Sequence, residues 1–199
     1  MENNKENRAI FTTIGVSSDA NTKREGNDFY ATDPIAIQKL LEVESFSNKV
    51  WECACGQGHL SEVLKDKGYD VLSTDLVDRG YGTGGVDFFK AKNVFDGDII
   101  TNPPYKYATE FARHALDIIS HGHKVALFLK IQFLESRTRR RLFDENPPKY
   151  IYVSSGRINC CKNGDFSRDS RKNKYSAQAY IWVIWEKGFK GEPTLRWFN

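Results

Sequence analysis

An α/β domain built on a mainly parallel sheet is the fold class this sequence predicts, and three observations predict it. From about residue 33 onward, short apolar runs of strand length alternate with amphipathic stretches of helix length. A strand-like run from Lys49 to Ala54 passes directly into Cys55-Gly56-Gln57-Gly58 and then into a helical pattern, the layout of a β-loop-α unit. The chain has 199 residues, 40% hydrophobic and 28% charged, which fits one globular domain and leaves little room for a second.

Residues 1–26 are rich in Asn, Ser, Thr, Lys and Glu, with one short apolar patch from Ile10 to Val16, and are expected to form a flexible arm ahead of a domain spanning 27–199. The first helix should follow Asp33-Pro34, because proline suits the first helical position; Ile35, Ile37, Leu40 and Leu41 would turn inward. After the strand at Lys49 to Ala54, a helix carrying Leu60, Val63 and Leu64 should end at Gly68. A second strand, Asp70 to Thr74, leads to Asp75, and a loop through Gly80, Gly82, Gly84 and Gly85 leads to Val86-Asp87-Phe88-Phe89.

A short strand, Asp98 to Ile100, then runs into Thr101-Asn102-Pro103-Pro104-Tyr105, where two prolines forbid both helix and sheet pairing. A helix from about Tyr107 to Ser120 precedes the apolar strand Lys124 to Ile131. A basic helix with Arg137, Arg139, Arg140 and Arg141 should close before Pro147-Pro148. The last strands are Tyr150 to Val153, with room to run on to Ile158, and Ala177 to Trp185. A polar, basic loop from Asn159 to Lys174 joins them, so this final pair is expected to form an antiparallel hairpin. The aromatic run Tyr180 to Trp185 reads as sheet core. The expected whole is a seven-stranded sheet with helices on both faces, the arrangement of Rossmann-like class I methyltransferases.

The 29 Lys and Arg against 26 Asp and Glu give a net charge of only +3, but the charge is unevenly spread. From Lys124 to Tyr175 there are 13 basic and 5 acidic residues, net +8, so the remainder holds 16 basic and 21 acidic, net −5. No apolar run approaches the roughly 18 to 20 residues of a membrane span, and the polar start MENNKEN lacks a signal peptide's apolar region. A cytoplasmic protein with no membrane partner is expected. Cys53, Cys55, Cys160 and Cys161 are too few and too clustered for a disulfide framework and lack the paired spacing of zinc knuckles, so reduced thiols and no metal are expected.

A glycine loop between strand and helix lets backbone N–H groups approach a ligand, and an acid about 20 residues later can grip ribose hydroxyls. Gly56 and Asp75 are 19 residues apart. Ser61 stands where a dinucleotide fingerprint needs its third glycine, which disfavours NAD. A cofactor with an adenosine, a sulfonium and an amino acid tail would instead want a carboxylate near the adenine amine, for which Asp87 is well placed, and a partner for its ammonium, for which Glu52 is suited. The alternative readings are a cap aspartate at position 87 and a satisfied strand-end acid at position 52.

Asn102-Pro103-Pro104-Tyr105 is the most specific feature. An asparagine side-chain carbonyl and the following proline's backbone carbonyl can both accept hydrogen bonds from an exocyclic amine, concentrating the nitrogen lone pair toward an electrophile, while a tyrosine stacks on the ring that carries it. The chemistry this suits is in-line methyl transfer from a sulfonium to nitrogen.

The segments Asp28 to Pro34, Trp51 to Gly58, Val86 to Phe89 and Thr101 to Tyr105 resemble consecutive motifs of phage-type DNA adenine-N6 methyltransferases, and the likeness covers nearly the whole chain. The cofactor segment precedes Asn-Pro-Pro-Tyr, as in the gamma order of amino-methyltransferases, with no separate target-recognition domain between them. The resemblance implies S-adenosyl-L-methionine as cofactor. It assigns Tyr30, Thr32 and Pro34 to the methionine tail, Glu52, Ala54, Gly56 and Gly58 to the loop, Asp75 to the ribose, and Asp87 and Phe88 to the adenine. Asn102, Pro103, Pro104 and Tyr105 would hold the target base. Cys53 departs from the family, where proline is common.

Adenine in a duplex must be flipped out, which calls for cationic surface. Arg157, Lys162, Arg168, Arg171, Lys172 and Lys174 are the expected contacts to double-stranded DNA, with Phe166 as a wedge or base-packing ring or else a pin for its own loop. The arginines of the basic helix spread over more than one face and are equally well read as solvated charges. Alternatives are adenine in RNA, a glutamine side chain of a protein, or a non-catalytic nucleic-acid-binding module on the same scaffold. A monomer or weak dimer is expected, and the compact form leans toward a phage or mobile element.

Overall fold

The structure, a computed structural model, describes residues 30–158, 160–162 and 178–198. The elements in chain order are β1 (Tyr30–Thr32), α1 (Ile35–Val43), β2 (Lys49–Glu52), α2 (His59–Asp66), β3 (Asp70–Ser73), β4 (Asp98–Thr101), α3 (Ala108–Ile118), β5 (Lys124–Lys130), α4 (Arg140–Glu145), β6 (Tyr150–Ser154), β7 (Cys160–Lys162), β8 (Tyr180–Glu186) and β9 (Thr194–Phe198). The expected N-terminal arm lies outside the described residues.

Seven strands form the main sheet in the order β3-β2-β4-β5-β8-β6-β9. Pairing is parallel from β3 through β5, β8 runs antiparallel between β5 and β6, and β9 adds a parallel edge to β6. The antiparallel β6–β8 pair matches the expected hairpin, with two differences. The chain does not end there: β9, five residues after a turn, was not apparent as a strand because four of its five side chains are exposed and carry no buried-face alternation. The connection from β6 to β8 also holds a strand, β7, where a loop was expected; it pairs antiparallel with β1 in a separate two-stranded ribbon. Three residues are too few for a period-2 signal, so this pairing is set by tertiary contact.

Both faces of the sheet are covered, which explains why β5 and β8 read as unbroken apolar runs. Val125, Leu127, Leu129, Ile181, Val183 and Trp185 face α3 and α4. Ala126, Phe128, Trp182 and Ile184 face α1 and α2. The buried tryptophans satisfy their indole N–H groups: Trp182 donates to the Ala36 carbonyl at 3.0 Å, pinning α1, Trp185 to the Asn146 carbonyl at 3.0 Å, and Trp51 to the Thr74 hydroxyl at 2.9 Å.

Local chemistry sets the helix starts. The Asp33 carboxylate accepts from the Ile35 N–H at 3.0 Å, and the Pro34 carbonyl accepts the i+4 bond from Gln38, so Pro34 opens α1 as expected. The helix expected over Tyr107 to Ser120 begins with a 3-10 turn, Tyr105–Tyr107, and the basic helix is only six residues, preceded by another such turn at Ile131–Leu134. Arg137 and Arg139 therefore precede α4. No helix among the described residues is long and apolar enough to cross a membrane.

Candidate active site

Strand order reverses around β2, which has β3 on one side and β4 on the other, and ligands in open α/β sheets bind beyond the strand C-termini at such a switch. A cleft of about 1130 Å³ opens there, larger than the roughly 300 to 1000 Å³ of a typical single-ligand pocket. It brings together one wall of Glu52, Ala54, Asp75, Asp87 and Phe88 and another of Asn102, Pro103, Pro104 and Tyr105, together with Thr32, which precedes both in sequence. Pro34, Gly56 and Gly58 do not line the cleft; Pro34 lies at the head of α1, and Tyr30 lies in β1.

The glycine loop is held by its neighbours. Asp75 accepts from the Gly56 N–H at 2.8 Å and, through its other oxygen, from the Val77 N–H at 2.9 Å, which ties the loop to the end of β3. Each carboxylate oxygen retains a second lone-pair direction for a hydroxyl donor. Gly58 has φ 87°, and a Cβ there would meet the Tyr81 ring at 2.6 Å. Tyr81, from the second glycine-rich loop, is fixed in turn by Lys65, which donates to its hydroxyl at 2.8 Å.

Glu52 is 2% exposed. It is hydrogen-bonded to Ser61, whose hydroxyl also meets that of Ser73 at 2.6 Å. Burial pushes its carboxyl up to about 8, partly countered by the Ser61 bond, so it holds a proton at neutral pH when no cation faces it. Burial likewise pushes the Cys55 thiol to about 12 and Cys53 well above its ordinary range, so neither is a thiolate nucleophile. Cys53 and Cys55 are free thiols, and no cluster of three His, Cys, Asp or Glu suited to a metal occurs among the described residues.

Asp87 caps the 3-10 turn Phe88–Lys90, accepting from the Phe89 N–H at 3.1 Å, while also facing the cleft, so the capping reading and the ligand reading apply to the same carboxylate. Phe88 is mostly core: its ring stacks on Phe111 at 5.0 Å and meets Trp51 edge-on at 5.3 Å. The more exposed apolar lining comes from Phe89 and from Leu76, which is 63% exposed directly after Asp75. Sequence reasoning missed Leu76; an apolar residue in a polar loop immediately after a strand-end acid is the signal that would have found it.

At the other wall, the Asn102 amide nitrogen donates to the Thr32 hydroxyl at 2.7 Å, which commits that end as donor and makes the carbonyl oxygen the accepting end. The Tyr105 hydroxyl lies 3.5 Å from the Cys160 sulfur, and burial pushes its phenol well above the usual range, so it stays neutral. Its ring sits 6.2 Å from Tyr180 and beneath Lys130. Lys130 and Lys106 line the cleft and were not singled out from the sequence.

Of the expected nucleic-acid contacts, Arg157 is exposed just after the bend that follows β6 and does not line the cleft, and Lys162 lies in β7. Phe166, Arg168, Arg171, Lys172 and Lys174 lie outside the described residues. The basic helix is largely neutralised locally: Arg140 pairs with Asp144 at 2.7 Å, Arg141 with Glu145 at 2.6 Å, and Arg139 donates to the Gln132 and Glu135 carbonyls.

No family model and no curated protein matches the sequence. Solved structures do match the fold. One is described as a predicted O-methyltransferase from Agrobacterium tumefaciens, with TM-score 0.57, 15% identity, and 83% of this chain and 85% of that chain covered. Another is an S-adenosylmethionine-dependent O-methyltransferase from Thermotoga maritima, with TM-score 0.52, 13% identity, and 79% and 65% covered. A third belongs to a type I restriction-modification system, with TM-score 0.52, 13% identity, and 96% and 47% covered. At such identities the likeness fixes architecture, and the architecture is that of the class I S-adenosylmethionine-dependent methyltransferases.

Proposed function

We propose that the cleft is a methyl-transfer site that uses S-adenosyl-L-methionine and acts on the exocyclic N6 amine of adenine in DNA, taken extrahelically. The observation that carries this reading is that the Asn102-Pro103-Pro104-Tyr105 turn opens into the same cleft as Glu52, Asp75 and Asp87, with the Asn102 amide nitrogen already committed to Thr32.

The wall formed by the glycine loop fits the cofactor by its donor set. Glu52 is a buried carboxyl, hydrogen-bonded to Ser61, whose charged form is favoured when a cation arrives, and the methionine ammonium is one. Asp75 offers lone pairs to ribose hydroxyls, Asp87 accepts from an adenine amine, and Leu76 supplies apolar cover for a ring. When bound, the sulfonium supplies an electrophilic methyl group.

The chain's own residues then account for the acceptor. The Asn102 and Pro103 carbonyls accept from the two N–H groups of an amine, which draws the nitrogen lone pair out of ring conjugation. The neutral Tyr105 ring offers a planar face for the base, and the fixed acceptors stabilise the positive charge that develops on nitrogen as the methyl group leaves sulfur, until one N–H proton is lost to solvent. Lys130 and Lys106 at the rim favour a phosphate-bearing substrate over a protein amide. The likeness to a type I restriction-modification structure is consistent with DNA.

The test is transfer of labelled methyl to DNA, RNA and protein in parallel, followed by nucleoside analysis. N6-methyladenine from DNA is expected, and label only in RNA or glutamine would replace the substrate assignment. Asn102→Ala should retain cofactor binding and lose transfer at least about a hundredfold; undiminished transfer would sink the assignment of this turn.

A further inference from the structure

We propose that Thr32 is a positioning residue for Asn102, and that the β1–β7 ribbon exists to hold the Asn102–Tyr105 turn at both ends. This deepens the methyl-transfer reading and rests on it. An asparagine amide has two orientations related by a half-turn of its terminal torsion. In one, a carbonyl meets the substrate amine; in the other, an NH2 group meets it, donor against donor. The structure holds the first, with the Asn102 nitrogen donating to the Thr32 hydroxyl at 2.7 Å and the amide plane fixed by that bond. Thr32 is only 4% exposed, so water does not readily replace it.

The ribbon gives this bond its rigidity. β1 lies outside the seven-stranded sheet and, among the described residues, pairs only with β7, in the register Thr32 opposite Cys160. The Cys160 sulfur lies 3.5 Å from the Tyr105 hydroxyl. One rung therefore touches both the residue that orients the amine and the residue that offers its ring to the base. The sulfur contact is the weaker of the two, so the larger functional effect belongs to Thr32. The family resemblance directs Thr32 toward the cofactor tail; the geometry directs its hydroxyl to Asn102.

The two assignments separate in Thr32→Val, which keeps the branched shape and removes the hydroxyl, compared with Thr32→Ser, which keeps the hydroxyl. The expected result is kcat lowered about ten- to hundredfold in Thr32→Val, with S-adenosylmethionine Kd by calorimetry, acceptor KM and melting temperature close to those of the unaltered protein. Thr32→Ser should recover most of kcat. Adding Thr32→Val to Asn102→Ala should cause no further loss, because the hydroxyl acts through the amide. Unchanged kcat in Thr32→Val, a Kd that weakens in step with activity, or Thr32→Ser as poor as Thr32→Val would overturn the proposal. If Asn102→Ala leaves transfer undiminished, or the unaltered protein labels no acceptor, the underlying methyl-transfer reading fails instead, and the proposal with it.

Discussion

The Lys130 ammonium lies 4.8 Å from the centre of the Tyr105 ring, a cation–π contact at the C-terminal end of β5. Among the described residues Lys130 forms no ion pair, in contrast to Lys124 and Lys149, which each meet a glutamate. If Tyr105 stacks on the target base as proposed, a cation held against its ring without a carboxylate partner is available to the phosphate of that nucleotide. Lys130→Gln is expected to weaken DNA binding roughly three- to tenfold at moderate salt and to reduce the slope of log affinity against log salt by about one. Cofactor affinity should be untouched. An unchanged salt slope, measured by fluorescence anisotropy across a salt series, would remove Lys130 from the phosphate contacts.

By the same measurement, Arg140→Ala and Arg141→Ala should change the salt slope less than Lys130→Gln. Both arginines are engaged with carboxylates one turn on, so the native surface there presents little net charge. Such exposed, solvent-screened pairs contribute little to stability, so unfolding midpoints should barely move. A loss of DNA affinity equal to that of Lys130→Gln would show that phosphate displaces the carboxylates.

Gly58 is required twice over. Its positive φ costs a side-chain-bearing residue about 1 to 2 kcal/mol, and a Cβ would sit 2.6 Å from the Tyr81 ring. Gly58→Ala should therefore destabilise by more than the torsional cost alone and weaken cofactor binding. In a Tyr81→Ala background the same substitution should cost only the torsional part. Urea unfolding of the four proteins decides this, and an equal cost in both backgrounds would show that Tyr81 moves aside freely.

What was legible in the sequence was whatever local chemistry encodes. The Pro103-Pro104 pair excludes regular structure, Gly56 and Gly58 permit positive φ, and the apolar runs of β5 and β8 announce strands covered on both faces. What was not legible depends on distant partners. β1 and β7 are three residues each and pair across some 130 positions of chain, and the Thr32–Asn102 bond joins residues 70 apart. The Phe88-Phe89 pair illustrates the boundary: both rings were visible as packing surface, but which one enters the core depends on Trp51 and Phe111. The Arg140–Asp144 and Arg141–Glu145 spacings, by contrast, lie in plain view as i, i+4 pairs, and they locate the neutralised face of the basic segment.

Glu52 gives the protein an unusual response to pH. Its carboxyl ordinarily titrates at 4.5 and here at about 8, raised by burial. Between those values the native state holds a proton that the unfolded chain releases, so stability falls as pH rises through this window and levels off above it. This is opposite in sign to an ion-paired carboxylate. Glu52→Gln should remove this component, and the denaturant midpoint should then vary less between pH 5.5 and 8.5; an unaltered profile would place the proton elsewhere.

On the proposed reading of Glu52 as the partner of the methionine ammonium, the same proton links pH to cofactor binding. An ammonium brought against Glu52 favours the carboxylate, so binding expels the proton and affinity should rise with pH toward 8, approaching about tenfold per unit well below it. A free α-amino group loses its own proton near 7.7 to 8.0, so affinity should decline again above that range and peak at about pH 8. Ser61→Ala removes the bond that counters burial, which moves the Glu52 carboxyl higher and depresses affinity at pH 7. Calorimetry at fixed pH 6.5 in buffers of different ionisation enthalpy reads the released proton directly. Close to one proton is expected for the unaltered protein and close to none for Glu52→Gln, whose acidic limb should be flat. Equal proton release by both would mean that the ammonium lies against another acid and that Glu52 serves the loop alone.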